Sequence, residues 1–225
     1  MKLSEATINI LKNYATINPS ILVKPGSTLQ TIAPASRAIF AKASVEESFP
    51  QQFALHELST FLGVISLFKE PELEFTDKQL KIKSDKQSVS YDLAEPSMVI
   101  APPDREFVFP ADAEIEFDIT SDDISRLIRA AGVLKLPHVA IWSDNERVIK
   151  VSAFDQSAKT KNTFDIVVGT SPHDFKMILQ IDNLVKIMNN AYNVKVSSKG
   201  MACFQSDKMT YYIACEANSK FTKGE

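Results

Sequence analysis

The chain is 225 residues long, with 25 basic and 28 acidic side chains and a formal net charge of -3. Hydrophobic residues make up 44% and charged residues 24%, a balance ordinary for a globular protein that buries a core. These values exclude a bulk electrostatic affinity for nucleic acid, and no apolar run approaches the ~18 residues a membrane span needs. The opening residues do not read as a secretory leader, and two cysteines, Cys203 and Cys215, make no disulfide framework, which points to a reducing cytosol.

In chain order, Ser4 precedes an amphipathic helix in SEATINILKNYA, with Ile8, Leu11 and Ala15 inward and Asn9, Lys12 and Asn13 outside. Strands are predicted at 21–24, 28–32 and 38–45, with turn chemistry at Pro25-Gly26 and Pro34. Phe53, Ala54 and Leu55 lead into a second helix, HELSTFLGVISLF. It buries Leu58, Phe61, Leu62 and Ile65 and presents His56, Ser59, Thr60 and Gly63. Strands at 72–76, 80–83 and 88–92 end this half. The segment EPSMVIAPPDREFVFP then carries four prolines, which favour an extended, partly stiff connector.

Beyond the connector the same order returns. A strand at 113–119 and a helix at 122–131 come first, and strands at 139–143 and 147–154 flank a turn at Asp144-Asn145. Strands at 163–168 and 175–181 precede a short helix, DNLVKIMNNA, and strands at 194–198, 201–205 and 210–215 follow it. The helices recur at an offset of roughly 120 residues, by element order and pattern rather than by identity. The chain thus reads as α+β, with two similar domains at 1–95 and 111–225 joined by a connector at 96–110.

Projection of the helices separates their faces. In ITSDDISRLIRAAGVLKLP, residues Ile124, Leu127, Ile128, Ala131 and Leu134 share one side, and Arg126 and Arg129 fall opposite. Asp122 and Asp123 complement the helix dipole, and Gly132 reads as the stop. In DNLVKIMNNA, Leu184, Ile187 and Met188 face inward, with Lys186, Asn189 and Asn190 opposite. No outer face among the four helices is rich in carboxylates, and three carry Lys or Arg among small or amide side chains. The acids concentrate in strands and loops. One such helix is ordinary solvation; the concordance across helices leaves open a local surface for a polyanion.

The opening MKLSEATINILKNYATINPSILVK, and then LSTFLGVISLF, EPSMVIAPP, DDISRLIRAAGVLKLPHVAI and YYIACEA, resemble in the same order the sliding clamps of T-even-type tailed bacteriophages, their DNA polymerase processivity factors. The resemblance covers most of the chain and weakens at 49–52, at 156–161 and after Asn218. It implies domains of the DNA-clamp type, with sheets outside and short helices lining the central channel of a head-to-tail trimeric ring. It further implies a homotrimer that encircles double-stranded DNA without sequence preference and tethers the replicative DNA polymerase. A clamp-loader ATPase would open it, in the cytoplasm of an infected bacterial host, and a role in phage late transcription is implied as well. A channel that holds DNA by topology needs only a few cations, because many phosphate contacts would add salt-dependent affinity and friction.

By this resemblance Lys12 in ILKNY and Arg129 in RLIRAA match basic positions of the family's channel helices. Projection adds Asn13, Arg126, Lys135 and Lys186 as DNA-facing, and Lys69 either reaches inward or is an exposed helix-end lysine. Partners of such families dock a short apolar peptide near the connector, where Met98, Val99 and Ile100 are the candidates, with packing against the sheets as their other reading. The subunit joint is expected strand to strand between unlike domains. Ser88, Ser90 and Asp92 would come from one subunit, and Lys150 and Ser152 from strand 147–154 of the next.

Catalytic patterns are missing from the sequence. Its six glycines are too dispersed for a phosphate-binding loop, there is no G-x-S-x-G elbow, and His56, His138 and His173 lack metal-ligand spacing. Glu46-Glu47 and Asp122-Asp123 are neighbours in sequence, and the helix terminus accounts for the second pair. Cys203 and Cys215 lie on consecutive predicted strands and read as small buried hydrophobes. No enzyme activity, cofactor or metal is expected. The alternative to a clamp is a β-rich viral structural or assembly protein without a DNA role, its basic helix faces merely solvated.

Overall fold

Ser4 caps the first helix in a computed structural model that describes residues 1–105, 107–111, 113–143, 147–158 and 161–224. The Ser4 hydroxyl oxygen accepts from the Thr7 N–H at 3.2 Å and starts α1 (Glu5–Ile17). The chain divides into two units, Met1–Arg105 and Glu106–Glu225.

In the first unit α1 buries Thr7, Ile10, Leu11, Tyr14 and Ile17, whereas Ile8 and Ala15 are only half-buried. The inward face is therefore rotated from the expected one. Tyr14 sets the rotation: it is fully buried and its hydroxyl donates to the Leu29 carbonyl at 3.2 Å, so the largest side chain takes the interior. After α1 come β1 (Ile21–Val23), β2 (Gly26–Ile32), β3 (Ile39–Phe49) and β4 (Phe53–Leu55). Then follow α2 (Leu58–Ser66), β5 (Glu72–Phe75), β6 (Gln79–Ser84) and β7 (Gln87–Asp92). β1 pairs with β4, β2 with β3, and β5, β6 and β7 form a three-stranded antiparallel sheet in that order. α2 packs on α1 and buries Leu58, Phe61 and Ile65, and Phe61 meets Tyr91 of β7 edge-on at 5.8 Å.

The second unit runs β8 (Ile115–Ile119), α3 (Ser121–Leu134), β9 (His138–Ser143), β10 (Val148–Phe154), β11 (Thr163–Thr170) and β12 (Asp174–Gln180). After them come α4 (Ile181–Leu184), β13 (Tyr192–Ser197), β14 (Met201–Gln205), β15 (Met209–Ala214) and β16 (Lys220–Thr222). One sheet has the order β11-β10-β9-β12-β16, and β15, β14, β13 and β8 are successive neighbours in another. α3 lies over β10 and β11, and Ile124 and Leu127 share an apolar interior with Phe117, Ile141, Val151, Leu179 and Phe204. Leu127 is wholly buried, a contribution of about 1.5–3 kcal/mol. Among the described residues both units contain one order, helix, four strands, helix, three strands, to which the second adds β8 before and β16 after.

Four further expectations change. α3 does not stop at Gly132 but runs on to Leu134, where Lys135 takes the left-handed conformation (φ 55°) and the Leu136 N–H returns to the Ala131 carbonyl at 2.8 Å. The helix expected at 182–191 is a single turn, with Leu184 and Ile187 buried and Met188 half-buried. Strand 147–154, expected at a subunit joint, is β10, and it is paired on both sides, by β9 and β11. β16 was not expected at all. The turn at Asp144-Asn145 lies outside the described residues.

Candidate nucleic-acid interface

The outer faces of α1 and α3 carry the candidate cations. α1 is fixed at its start by Glu47 of β3, whose carboxylate accepts from the Ser4 N–H and, at 2.5 Å, from the Thr7 hydroxyl. Burial pushes the Glu47 carboxyl up, but these hydrogen bonds together outweigh it and hold it below the usual carboxylate range. At the other end the Asn18 side-chain amide donates to Ile32 O at 3.1 Å and Ile100 O at 2.8 Å. Between these anchors Lys12 is exposed, Asn9 is exposed beside it, and Asn13 is half-buried. α2 presents His56, Ser59, Thr60 and Gly63 to solvent, and Lys69 follows it, exposed, with its carbonyl accepting from the Ser84 hydroxyl at 2.7 Å.

α3 is capped by Thr120, whose hydroxyl oxygen accepts from the Asp123 N–H at 3.1 Å. Its two arginines are not equivalent. The Arg126 guanidinium lies 2.7 Å from the Asp122 carboxylate one turn earlier, so its charge is locally balanced. Arg129 is exposed and, like Lys12, enters no ion pair among the described residues. Ser125, one turn before Arg129 on the same row, donates to the Asn189 side-chain oxygen at 3.0 Å. Lys135 is exposed at the helix end, and Lys186 is half-buried just past α4. The Asp122–Arg126 pair was readable from its i,i+4 spacing; the Ser125–Asn189 bond spans distant segments and carried no such signal.

The remaining candidates fall as follows. Met98 is 66% exposed and Ile100 45%, whereas Val99 between them is 8% exposed and packs inward. Ser88, Ser90 and Asp92 are exposed on β7, and Asp92 accepts from the Gln79 side-chain amide at 2.8 Å. Lys150 and Ser152 sit on interior strand β10, with Ser152 buried and its hydroxyl oxygen accepting from the Trp142 indole at 2.6 Å. They are not placed to join another strand. Among the described residues β7 and β11 each have a partner strand on one side alone. Cys203 and Cys215 are free thiols on either side of the β14–β15 turn, Cys203 opposite Tyr212. Among the described residues no group of His, Cys, Asp and Glu could hold a metal ion, and no helix is long and apolar enough to cross a membrane.

The family described as DNA polymerase processivity factor matches residues 2–101, and the family described as gp45 sliding clamp, C terminal, matches residues 116–217. The chain is 31% identical over 222 residues to the sliding clamp of Vibrio phage KVP40, covering 96% of this chain and 100% of that one. It is 28% identical over 229 residues to the sliding clamp of Enterobacteria phage T4, covering 97% and 98%. In fold it resembles the A. fulgidus PCNA solved with the C-terminal region of FEN-1 bound, with a TM-score of 0.69, 12% identity, and 98% and 100% of the two chains covered.

Proposed function

The chain belongs to the sliding-clamp family, and from that membership we infer that three copies close head to tail into a ring around double-stranded DNA. Its function is that of a processivity factor: it tethers the replicative DNA polymerase during synthesis. The alternative of a viral assembly protein without a DNA role falls with the family.

The observation that carries the DNA-facing surface is the pair Lys12 and Arg129. Each is an exposed cation in no ion pair among the described residues, roughly two turns beyond a capped helix start, on corresponding helices of the two units. In the ring these cations face phosphates loosely, with Asn13, Lys135, Lys186 and Lys69 as further DNA-facing side chains and Arg126 contributing less because of Asp122. The joint uses the free edges β7 and β11, Ser88, Ser90 and Asp92 lying along the first. Pairing would remove two edges that otherwise invite aggregation. Met98 and Ile100 supply the apolar contact for a partner peptide, and buried Val99 holds that segment in place. The protein does its work without catalysis. A clamp-loader ATPase opens the ring in the cytoplasm of the infected host, and a late-transcription partner uses the same outer surface.

The test is retention on DNA after loading. The chain should stay on closed circles and be lost when the circle is cut once. Equal retention on circular and linear DNA would defeat the topological reading.

A further inference from the structure

The short strand β16 seals one edge of a sheet. β12 pairs with β9 on one side, and its other side would present bare N–H and C=O groups if residues 216–224 did not run along it. The cover is continuous. The Glu216 N–H donates to Ile178 O at 2.7 Å, and the Ile178 N–H donates to Ser219 Oγ at 2.9 Å. Lys220, Phe221 and Thr222 then stand opposite Lys176, Phe175 and Asp174. Two anchors hold the far end. The Phe221 ring lies 5.3 Å from the His173 ring, edge-on, and 6.4 Å from that of Phe175, stacked. The Gly224 N–H donates to His173 Nδ1 at 3.2 Å, and a Cβ on Gly224 would stand 1.9 Å from the Pro172 carbonyl oxygen. The cradle therefore accepts a strand, an aromatic ring and, three residues later, a residue with no side chain.

The cover is also weak. Its ladder is three residues long, Lys220 and Thr222 are exposed, and Phe221 is only half-buried. So little burial barely offsets the entropy of ordering the segment. We propose that the β12 edge is a peptide-docking site, closed in this structure by residues 216–224 acting as a displaceable strap. Its exchangeable ligand is an extended peptide with an aromatic residue at the Phe221 register and a glycine three residues on. Main-chain bonds to β12 give affinity, and the His173–Phe175 surface gives selectivity. The site lies at the opposite edge of its sheet from β11.

Gly224→Ala tests this with little risk to folding, because the added methyl group cannot fit beside Pro172 and so loosens the strap, from its far anchor back along the ladder, without touching the core. The probe is a labelled synthetic peptide, SKFTKG, which copies residues 219–224. It is titrated by fluorescence anisotropy into the unaltered chain, Gly224→Ala and Phe221→Ala. Both variants should bind it at least tenfold more tightly than the unaltered chain, whose tethered strap competes at high effective concentration. The same peptide with alanine at the Phe221 position should not bind, and the Ile178 amide should exchange hydrogen about tenfold faster in both variants. Equal peptide binding by all three proteins would overturn the proposal. So would faster exchange without peptide binding, which would make the strap an edge cover and nothing more.

Discussion

Asp122→Asn should turn a balanced arginine into a working one. The Asp122–Arg126 pair is exposed on both sides, at 64% for the arginine and 67% for the aspartate, and its 2.7 Å separation is far shorter than the ~8 Å over which salt screens charge. A phosphate therefore meets a dipole there, and a full positive charge once the carboxylate is gone. The cost to the fold is small. Such an exposed pair stabilises a helix by about 0.3–0.5 kcal/mol and a first-turn acid adds about 0.3–1 kcal/mol, so Asp122→Asn loses roughly 1 kcal/mol. Each new phosphate contact steepens the plot of log affinity against log salt by about 0.9. Between about 50 and 200 mM salt that is an additional loss of about 3.5-fold per contact. The assay is equilibrium binding of a labelled duplex over a salt series. Asp122→Asn should steepen the slope, Arg129→Gln should flatten it by about as much, and Asp207→Asn, an equal charge change on the exposed β14–β15 turn, should leave it alone. An unchanged slope for Asp122→Asn, or an equal response to Asp207→Asn, would refute the assignment of α3 to the DNA side.

Three further outcomes follow from the same geometry. Glu47 is held below the usual carboxylate range, so the stability it adds is complete above the ordinary glutamate value of ~4.3 and is lost as pH falls through its lowered native value. Glu47→Gln should therefore cost about 1 kcal/mol near neutral pH, allowing for partial exposure, and close to nothing at the acid end, read as urea midpoint against pH. Burial pushes the Cys203 thiol up to about 11 and, with Glu216 nearby, Cys215 up to about 12. Near neutral pH the folded chain should react with an aromatic disulfide reagent about 100-fold more slowly than the urea-unfolded chain. Met98→Asp and Ile100→Asp should abolish polymerase stimulation with the thermal midpoint unchanged, whereas Val99→Ala should cost about 2 kcal/mol of stability and leave stimulation intact.

Much of the fold was legible in the sequence because most strands lie between strong turn signals and alternate cleanly, as at Met209–Ala214, where Met209, Tyr211 and Ile213 are buried. α3 was legible for the matching reason, a clear apolar stripe with two acids at its start. α1 was misread by a rotation, since periodicity weighs aliphatic residues evenly while the structure turns the helix to bury Tyr14. α4 was overextended because Leu184, Ile187 and Met188 fit a helical period that the chain uses only for one turn. Strand 147–154, expected at a subunit joint, lies inside a sheet for a topological reason. Sequence alone does not say which strand of a sheet is outermost, and β10 and β11 exchange roles on that point. β16 escaped notice because three residues with one apolar side chain have no measurable period. Of the candidate site, the exposure of Lys12 and Arg129 on the outer helix faces was legible, and the i,i+4 spacing of Asp122 and Arg126 permitted their ion pair, although its formation depends on rotamers.

The measurement that bears most directly on the ring is solution mass by light scattering, taken from low to high micromolar concentration. Three copies of the 25.0 kDa chain should persist across the upper part of that range and dissociate, if at all, only on dilution. A mass that stays at 25.0 kDa at the highest concentration would contradict the account, because a single copy cannot enclose DNA.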